Sequence, residues 1–312
     1  MSRRGWAYFL AMAVIWGIPY LLIRVAVREL NPGVLVFLRT APAALLLAPL
    51  VVARGQLRAL RTHLGWIAVF GVVEFGIPWF LMSTSEQHIT SSLTSLLICC
   101  VPLFAVVAQR IRRTEDVIAP RRYLGLGIGA VGVAFLVGLN VHGGTLTWIG
   151  LMMLVCVGYC VGPIILATKL RDVDGPTVVM GATAVVALAW LPWALTHWPH
   201  YVSGETWSSV AVLSVVCTAG AFLVFFELIK EVGATRAVVV TYVNTAIAVV
   251  LGIVGLHEPL TAAIMVGFPL VLIGCVFATS NPRVAALPVS PSDTAPRPSR
   301  LRPRPARAPR GH

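Results

Sequence analysis

Ten mostly apolar stretches follow one another along the chain, each close to the ~20 residues that an α-helix needs to cross a bilayer. They run at roughly 5–27, 32–53, 65–83, 89–109, 123–140, 146–168, 176–196, 207–229, 236–256 and 260–280, lengths suited to spanning the ~30 Å hydrocarbon layer. No single soluble core hides so much: hydrophobic residues make up 58% of the chain and charged ones 12%. The reading is therefore an all-α integral membrane protein with ten transmembrane helices. Pro19, Pro42, Pro78, Pro102, Pro163, Pro192 and Pro269 fall inside the stretches. Membrane helices tolerate proline where neighbouring groups satisfy the freed carbonyls.

The net charge of +12 could suggest nucleic acid, but a soluble fold with a basic face is missing, so the lipid bilayer is the expected partner. The six cysteines, Cys99, Cys100, Cys156, Cys160, Cys217 and Cys275, lie in apolar runs without a CxxC spacing. They read as packing residues, and neither a metal site nor a cofactor is expected. Basic residues are nearly all arginine, a bias of high-GC bacterial genomes. The N-terminal run imitates a secretory signal around Ala11-Met12-Ala13. It continues to about Leu22, however, and further spans follow, so it is expected to be a retained first helix.

Arginine and lysine set the orientation. With the N-terminus inside, all 24 basic residues fall on the cytoplasmic side except Arg24, Arg28 and Arg39, which places both termini in the cytoplasm. Residues 281–312 change to proline, arginine, serine and alanine and read as a disordered cytoplasmic tail.

Shifting the chain on itself by about 143 residues, with slips of one, places Pro19 on Pro163, Pro32 on Pro176, Glu115 on Glu258, Gly125 on Gly267 and Gly132 on Gly274. The halves are residues 1–140 and 141–280. Five spans per half is an odd number, so the second half enters the membrane inverted, an arrangement characteristic of secondary transporters. Glu258, in "GLHEPLT" (255–261), then sits in the connector before the last helix. A structural role at a tight interfacial turn is expected of it.

The segment "EVGATRAVVVTYVNTAIAVVLGIVGLHEPLT" resembles the second repeat of EamA-type transporters of the drug/metabolite transporter (DMT) superfamily. "VGFPLVLIGCVFA" is similar to their glycine-containing last helix, "VIWGIPYLLIRVA" to the opening Trp-Gly helix, "FLRTAPAALLLAPL" to the Arg-bearing second helix and "VPLFAVVAQRI" to the fourth. Asn244-Thr245 stands where that family often has Glu-Pro, and the first connector reads Thr114-Glu115-Asp116 instead of Gly-Glu-Pro. The resemblance implies a 5+5 carrier of the bacterial plasma membrane, working by alternating access. It further implies efflux of small organic metabolites, amino acids among them, or of drugs.

A carrier needs polar groups at membrane depth, where each is costly. Glu74 lies near the middle of the third span, where desolvation disfavours its charged form. It either carries a coupling proton or is a neutral carboxyl bonded to a neighbouring helix. Arg39, in the second span, matches the family arginine and could meet Glu74, a substrate carboxylate, or neither, serving as a tether. Pro19 and Pro163 interrupt the opening helices of the two halves, and Trp16, Tyr20, Tyr159, Tyr242 and Asn244 stand around them as candidate walls for an amphipathic solute or as core residues. Gly127-x-Gly129-x-x-Gly132 imitates a dinucleotide fingerprint but lies in an apolar helix, where small residues serve close packing. Rival classes are an intramembrane enzyme, for which Glu86 and His88 at the outer end of the fourth helix are an insufficient constellation, and a receptor or scaffold.

Overall fold

The computed structural model describes residues 2–111, 120–138, 145–232, 237 and 240–279. Among them there is no strand. In chain order the long helices are α1 (Arg3–Ala26), α2 (Pro32–Ala53), α3 (Leu64–Glu86), α4 (Ser91–Ala108), α5 (Pro120–Gly138), α6 (Thr145–Lys169), α7 (Gly175–Thr196), α8 (Gly204–Val232), α9 (Val240–Leu256) and α10 (Ala262–Thr279), with a short helix at Leu57–Thr62 between α2 and α3. Seven of them, all but α5, α9 and α10, are long and apolar enough to cross a membrane, while α9 and α10 are shorter apolar helices. The connector carrying Glu115 and the segment 281–312 read as a tail lie outside the described residues.

Side chains fix where the helices start. Ser2 accepts from the Gly5 amide at 2.9 Å, Asn31 from Gly33 at 3.0 Å, Thr90 from Leu93 at 3.2 Å and Ser203 from Thr206 at 3.2 Å. Each satisfies one of the N–H groups that a helix start leaves open.

Three departures from the sequence expectation have physical causes. The third span ends at Glu86 instead of near residue 83, because its polar end finds partners: the Thr84 hydroxyl donates to the Phe80 carbonyl at 2.8 Å and that of Ser85 to Trp148 at 3.4 Å. Glu86 therefore ends α3 and does not belong to α4. The fourth span is not one rod. Pro102 cannot extend the ladder backwards, and the helix breaks at Cys99-Cys100. There the Cys156 thiol donates to the Leu97 carbonyl at 3.3 Å and the Cys275 thiol to that of Cys99 at 3.2 Å. The expected pair of proline interruptions is realised on one side only. α1 breaks between Gly17 and Pro19, whereas Pro163 sits inside the continuous helix α6, where a single proline forfeits one bond and the flanking ladder holds.

Two helices carry a wider turn. Val72–Gly76 in α3 and Val212–Gly220 in α8 are π-helical, a form that concentrates at functional sites. Phe75 in the first and Thr218 in the second are 143 residues apart, the offset of the sequence repeat.

The packing is reciprocal between the halves. α2 lies along α7, α5 along α10, and α4 against α9; α1 meets α8 and α9 as α6 meets α3 and α4, and α2 meets α8 as α7 meets α3. The α5–α10 contact is made backbone to backbone by glycines. A methyl group at Gly132 would lie 2.7 Å from the Val271 amide nitrogen, and one at Gly125 would be 2.7 Å from the Gly274 carbonyl oxygen, while one at Gly127 would meet nothing within 4 Å. Small residues of this kind let helices approach closely in lipid, where no hydrophobic effect drives them together. Of the fingerprint-like glycines, Gly129 and Gly132 are thus packing residues, while Gly127 faces open space. Replacement Gly132→Ala should destabilise the purified protein by about 1–3 kcal/mol as overpacking against an immobile backbone, and Gly127→Ala should be neutral or slightly stabilising; thermal unfolding in detergent compares the two.

Candidate functional site

The helix ends form two groups of contacts. At one end Arg54 pairs with Asp174 at 2.9 Å, Lys169 lies over the Trp66 ring at 5.0 Å, and Ser2 bonds Glu231. This is the arginine-rich end. At the other, arginine-poor end, Trp193 donates to Asn31 at 2.9 Å and the Ser203 amide to Glu29 at 2.8 Å. That amide holds the Glu29 carboxyl below the usual carboxylate range. Glu227 and Lys230 form an exposed pair at 2.7 Å, three residues apart on α8.

Glu258 belongs to the arginine-poor end and closes the chain in an unexpected way. His257 adopts φ 53, the left-handed turn that ends α9, and the Glu258 amide donates back to the Gly252 carbonyl at 3.1 Å. The side chain then crosses to the other half. Its Oε1 accepts from the Ser91 amide at 2.8 Å and hydroxyl at 3.0 Å, and its Oε2 from the Ser92 amide at 3.0 Å and hydroxyl at 2.5 Å. Gly252 makes room, since a methyl there would stand 2.6 Å from Oε2. The structural role expected of Glu258 is thus served on the N-terminus of α4, where the helix dipole favours an anion. The sequence signal for the partner was Thr90-Ser91-Ser92, a run of capping residues before an apolar stretch. Hydrogen bonds to a charged group contribute about 1.5–3 kcal/mol each, with strong overlap when they share one carboxylate. Glu258→Ala should therefore lower stability by about 2–4 kcal/mol and Glu258→Gln by less, measured as the shift in thermal unfolding in detergent.

The polar centre lies deeper. Arg39 is 6% exposed. Its guanidinium lies 3.6 Å from the centroid of the Trp79 ring, and its Nε donates to the Thr218 hydroxyl at 3.1 Å. Thr218 in turn donates to the Leu213 carbonyl at 2.8 Å, five residues back. The wider turn of α8 thus aims that hydroxyl oxygen at Arg39. The Tyr159 hydroxyl lies near both Trp79 and Arg39. Tyr20 and Tyr159 both lie within electrostatic reach of Arg39. An aromatic chain continues from Trp79 to Phe75 at 4.9 Å, from Phe75 to Phe222 at 5.5 Å and from Phe222 to Trp16 at 6.0 Å between ring centroids. One wall thus draws on α1, α3 and α8, with a cation held at its end.

Glu74 stands in the wider turn of α3. Its carboxylate runs against α6, where a methyl at Gly162 would come within 2.9 Å of the carboxyl carbon. Oε2 is enclosed and has no hydrogen-bond partner among the described residues. Arg39 and Glu74 do not pair; the arginine is committed to Thr218 and Trp79, and Tyr159 is the group that both carboxylate and guanidinium reach. Asn244 is buried at the crossing of α1 and α9, where its backbone carbonyl would lie 3.0 Å from a methyl at Gly17 and its side-chain oxygen accepts from Thr245 at 3.4 Å. Tyr242 is half-buried against the main core. The structure therefore joins Arg39, Tyr20, Tyr159, Trp16 and, through Tyr159, Glu74. It sets Asn244 at a helix crossing. Trp79, Thr218 and Phe222 are additions that the sequence alone did not single out, although Thr218 is signalled by its place 143 residues after Phe75.

A polytopic helical membrane protein with a buried cation, an enclosed carboxylate and aromatic walls drawn from several spans is built like a transporter of solutes. The chain belongs to the EamA-like transporter family, whose model matches residues 3–138 and 146–280. It is similar to the uncharacterized inner membrane transporter YedA of Escherichia coli (strain K12), 25% identical over 260 residues and covering 78% of this chain and 79% of that one. Similar too are the uncharacterized transporter YvbV of Bacillus subtilis (strain 168), 24% identical over 270 residues with 84% and 87% covered, and an uncharacterized transporter of Archaeoglobus fulgidus, 22% identical over 276 residues with 87% and 97% covered. A protein crystal structure matches with a TM-score of 0.64 at 17% identity, covering 88% of this chain and 96% of that one, which shows a shared fold. The protein is accordingly a multi-pass membrane protein of the transporter type.

Proposed function

We propose that the protein is a secondary active carrier that exports small organic metabolites, amino acids or related compounds, or drugs, by alternating access. In this reading residues 1–140 and 141–280 are two inverted five-helix repeats, the arginine-rich end faces the cytoplasm, and both termini lie there. The reciprocal packing of the halves and the paired π-helical turns of α3 and α8 support the repeat. The arginine bias supports the orientation.

One observation carries the functional reading: a buried guanidinium laid on Trp79 and bonded to Thr218 at 3.1 Å, with no carboxylate paired to it among the described residues. A cation kept in this way at depth is available to an anionic or strongly polar group of a solute. Tyr20 and Tyr159 border that head-group position, the aromatic run from Trp79 to Trp16 accommodates the apolar part, and Tyr242 and Asn244 face the solute in another stage of the cycle. Pro19, at the break of α1, and Pro163 mark the opening helices that move. Glu74 carries the coupling proton, since a carboxyl enclosed among helices is stable there as the neutral acid and exchanges its proton when the site opens to water.

The test is radiolabelled counterflow in proteoliposomes with a panel of amino acids, organic cations and sugars, with and without a pH gradient. One solute class should exchange. Arg39→Gln should cut its apparent affinity about tenfold or more, the loss of one charge-assisted contact of about 1.5–3 kcal/mol. Glu74→Gln should retain exchange but lose the dependence on the pH gradient. Failure of every solute to exchange would move the reading to a receptor or scaffold.

A further inference from the structure

Glu86 is a fully enclosed carboxyl group outside the wall just described. It ends α3, is 0% exposed, and neither carboxylate oxygen has a hydrogen-bond partner among the described residues. The donors around it are already committed. Ser91 and Ser92 give their amides and hydroxyls to Glu258, and the Gln87 amide donates to the Val27 carbonyl at 3.3 Å. Arg24 donates from Nη1 to the backbone carbonyl of Glu86 itself. The charged and titratable groups that reach the carboxylate are Tyr20 and Arg24 from α1, Arg39 from α2, and Glu258 from the turn after α9.

An ionised carboxylate without a single hydrogen bond at such a position carries a desolvation penalty of several kcal/mol. The neutral acid does not. The arrangement seen is therefore the protonated one, with Arg24 parked on the carbonyl of the same residue. We propose that Glu86 and Arg24 form a proton-operated gate at the arginine-poor end of the protein. When the proton leaves Glu86 for water, the carboxylate becomes the stronger acceptor, and the Arg24 guanidinium moves from the carbonyl oxygen to the carboxylate of the same residue. Arg24 remains a cation throughout, so one proton is released and no other bond is made or broken.

The geometry gives this small exchange a lever. Arg24 lies on the second segment of α1, past the break at Pro19, so that segment turns separately from Arg3–Gly17. The end of α3 is tied to Val27 through Gln87 and to Trp148 at the start of α6, both by the Ser85 bond and by the His88 ring stacked at 3.7 Å. Glu258 fastens the last connector onto the next helix start. A shift of Arg24 therefore turns Pro19–Ala26 about its tie at Val27, against the anchored ends of α3, α4 and α6. The gate rests on the carrier reading for its purpose, but its existence is measured without any solute.

Spin labels on cysteines introduced at Arg28 and Leu260, both exposed at this end, report its width in the full chain in nanodiscs, while the native thiols among the described residues are buried. The distance distribution should change between mildly acidic and mildly alkaline buffer. Glu86→Gln should hold the acidic distribution in both, and Glu74→Gln should change as the unsubstituted protein does. Should Glu86→Gln not remain monodisperse, Arg24→Gln carries the test and should lose the pH response equally. A distribution that ignores pH in the unsubstituted protein, or that responds to pH in Glu86→Gln or Arg24→Gln, overturns the gate. A gate that responds while no solute exchanges would overturn the carrier reading alone.

Discussion

Within a bilayer the backbone has no water to turn to, so each interruption of a helix must be answered by a group of the protein. That requirement organises this structure. At the break of α4 the carbonyls of Leu97 and Cys99 are met by thiols from α6 and α10. In the wider turn of α8 the Leu213 carbonyl is met by Thr218. The four amide and hydroxyl donors of Ser91 and Ser92 are met by Glu258. The answering group generally comes from another helix, so local irregularity and tertiary contact are the same event. The Leu97 carbonyl also accepts from the Cys100 amide at 3.1 Å, so there the weak thiol donor adds to a backbone bond.

The same constraint explains where polar chemistry collects. A wider turn places a hydroxyl or carboxyl out of register with its own helix, and both such turns lie at the centre: Thr218 faces Arg39 and Glu74 faces Gly162. Arg39 is tolerated at depth because the Trp79 ring and the Thr218 oxygen replace part of its hydration. Neither replacement neutralises its charge. Glu74 and Glu86 are tolerated on other terms, since enclosed oxygens without a hydrogen-bond partner among the described residues are less costly as a neutral acid than as a carboxylate. A solute that brings its own anion, or a change that removes a proton, therefore acts on groups whose compensation is incomplete.

Hydropathy made the helices legible almost to the residue. Apolar length is a property of contiguous sequence, and lipid enforces it, as the agreement of Pro32–Ala53 with the expected 32–53 shows. The exceptions are instructive. The third span was cut short because Ser83, Ser85 and Glu86 are polar, and their burial depends on α1 and α6. The break in α4 is written in Pro102, yet the thiols that stabilise it lie 59 and 176 residues from the carbonyls they meet. Arg39, Tyr159 and Glu74 stood out as polar groups at depth. Trp79 did not, because an aromatic residue in an apolar run looks like core until the cation above it is seen. Glu258 was recognised as structural, but its partner was legible only as a capping run without an address.

The contacts between residues 1–140 and 141–280 differ in compliance. The α5–α10 pair is brought backbone to backbone by Gly125, Gly132 and Gly274, with Leu136 packed onto Gly267, and is the stiffest of these contacts. α1 and α6 are different. Each meets two helices of the opposite half, and α1 is divided at Pro19, so its second segment need not follow the first. α6 holds Pro163 without breaking and lies against the carboxylate of Glu74 through Gly162. The asymmetry gives the two opening helices unequal compliance. The divided one carries Tyr20 and passes beside Glu86 toward the arginine-poor end, and the continuous one carries Tyr159 to the neighbourhood of Trp79 and Arg39. A motion that opens the arginine-poor end thus has an element able to bend, while the buried wall around Arg39 stays braced by one that is not divided.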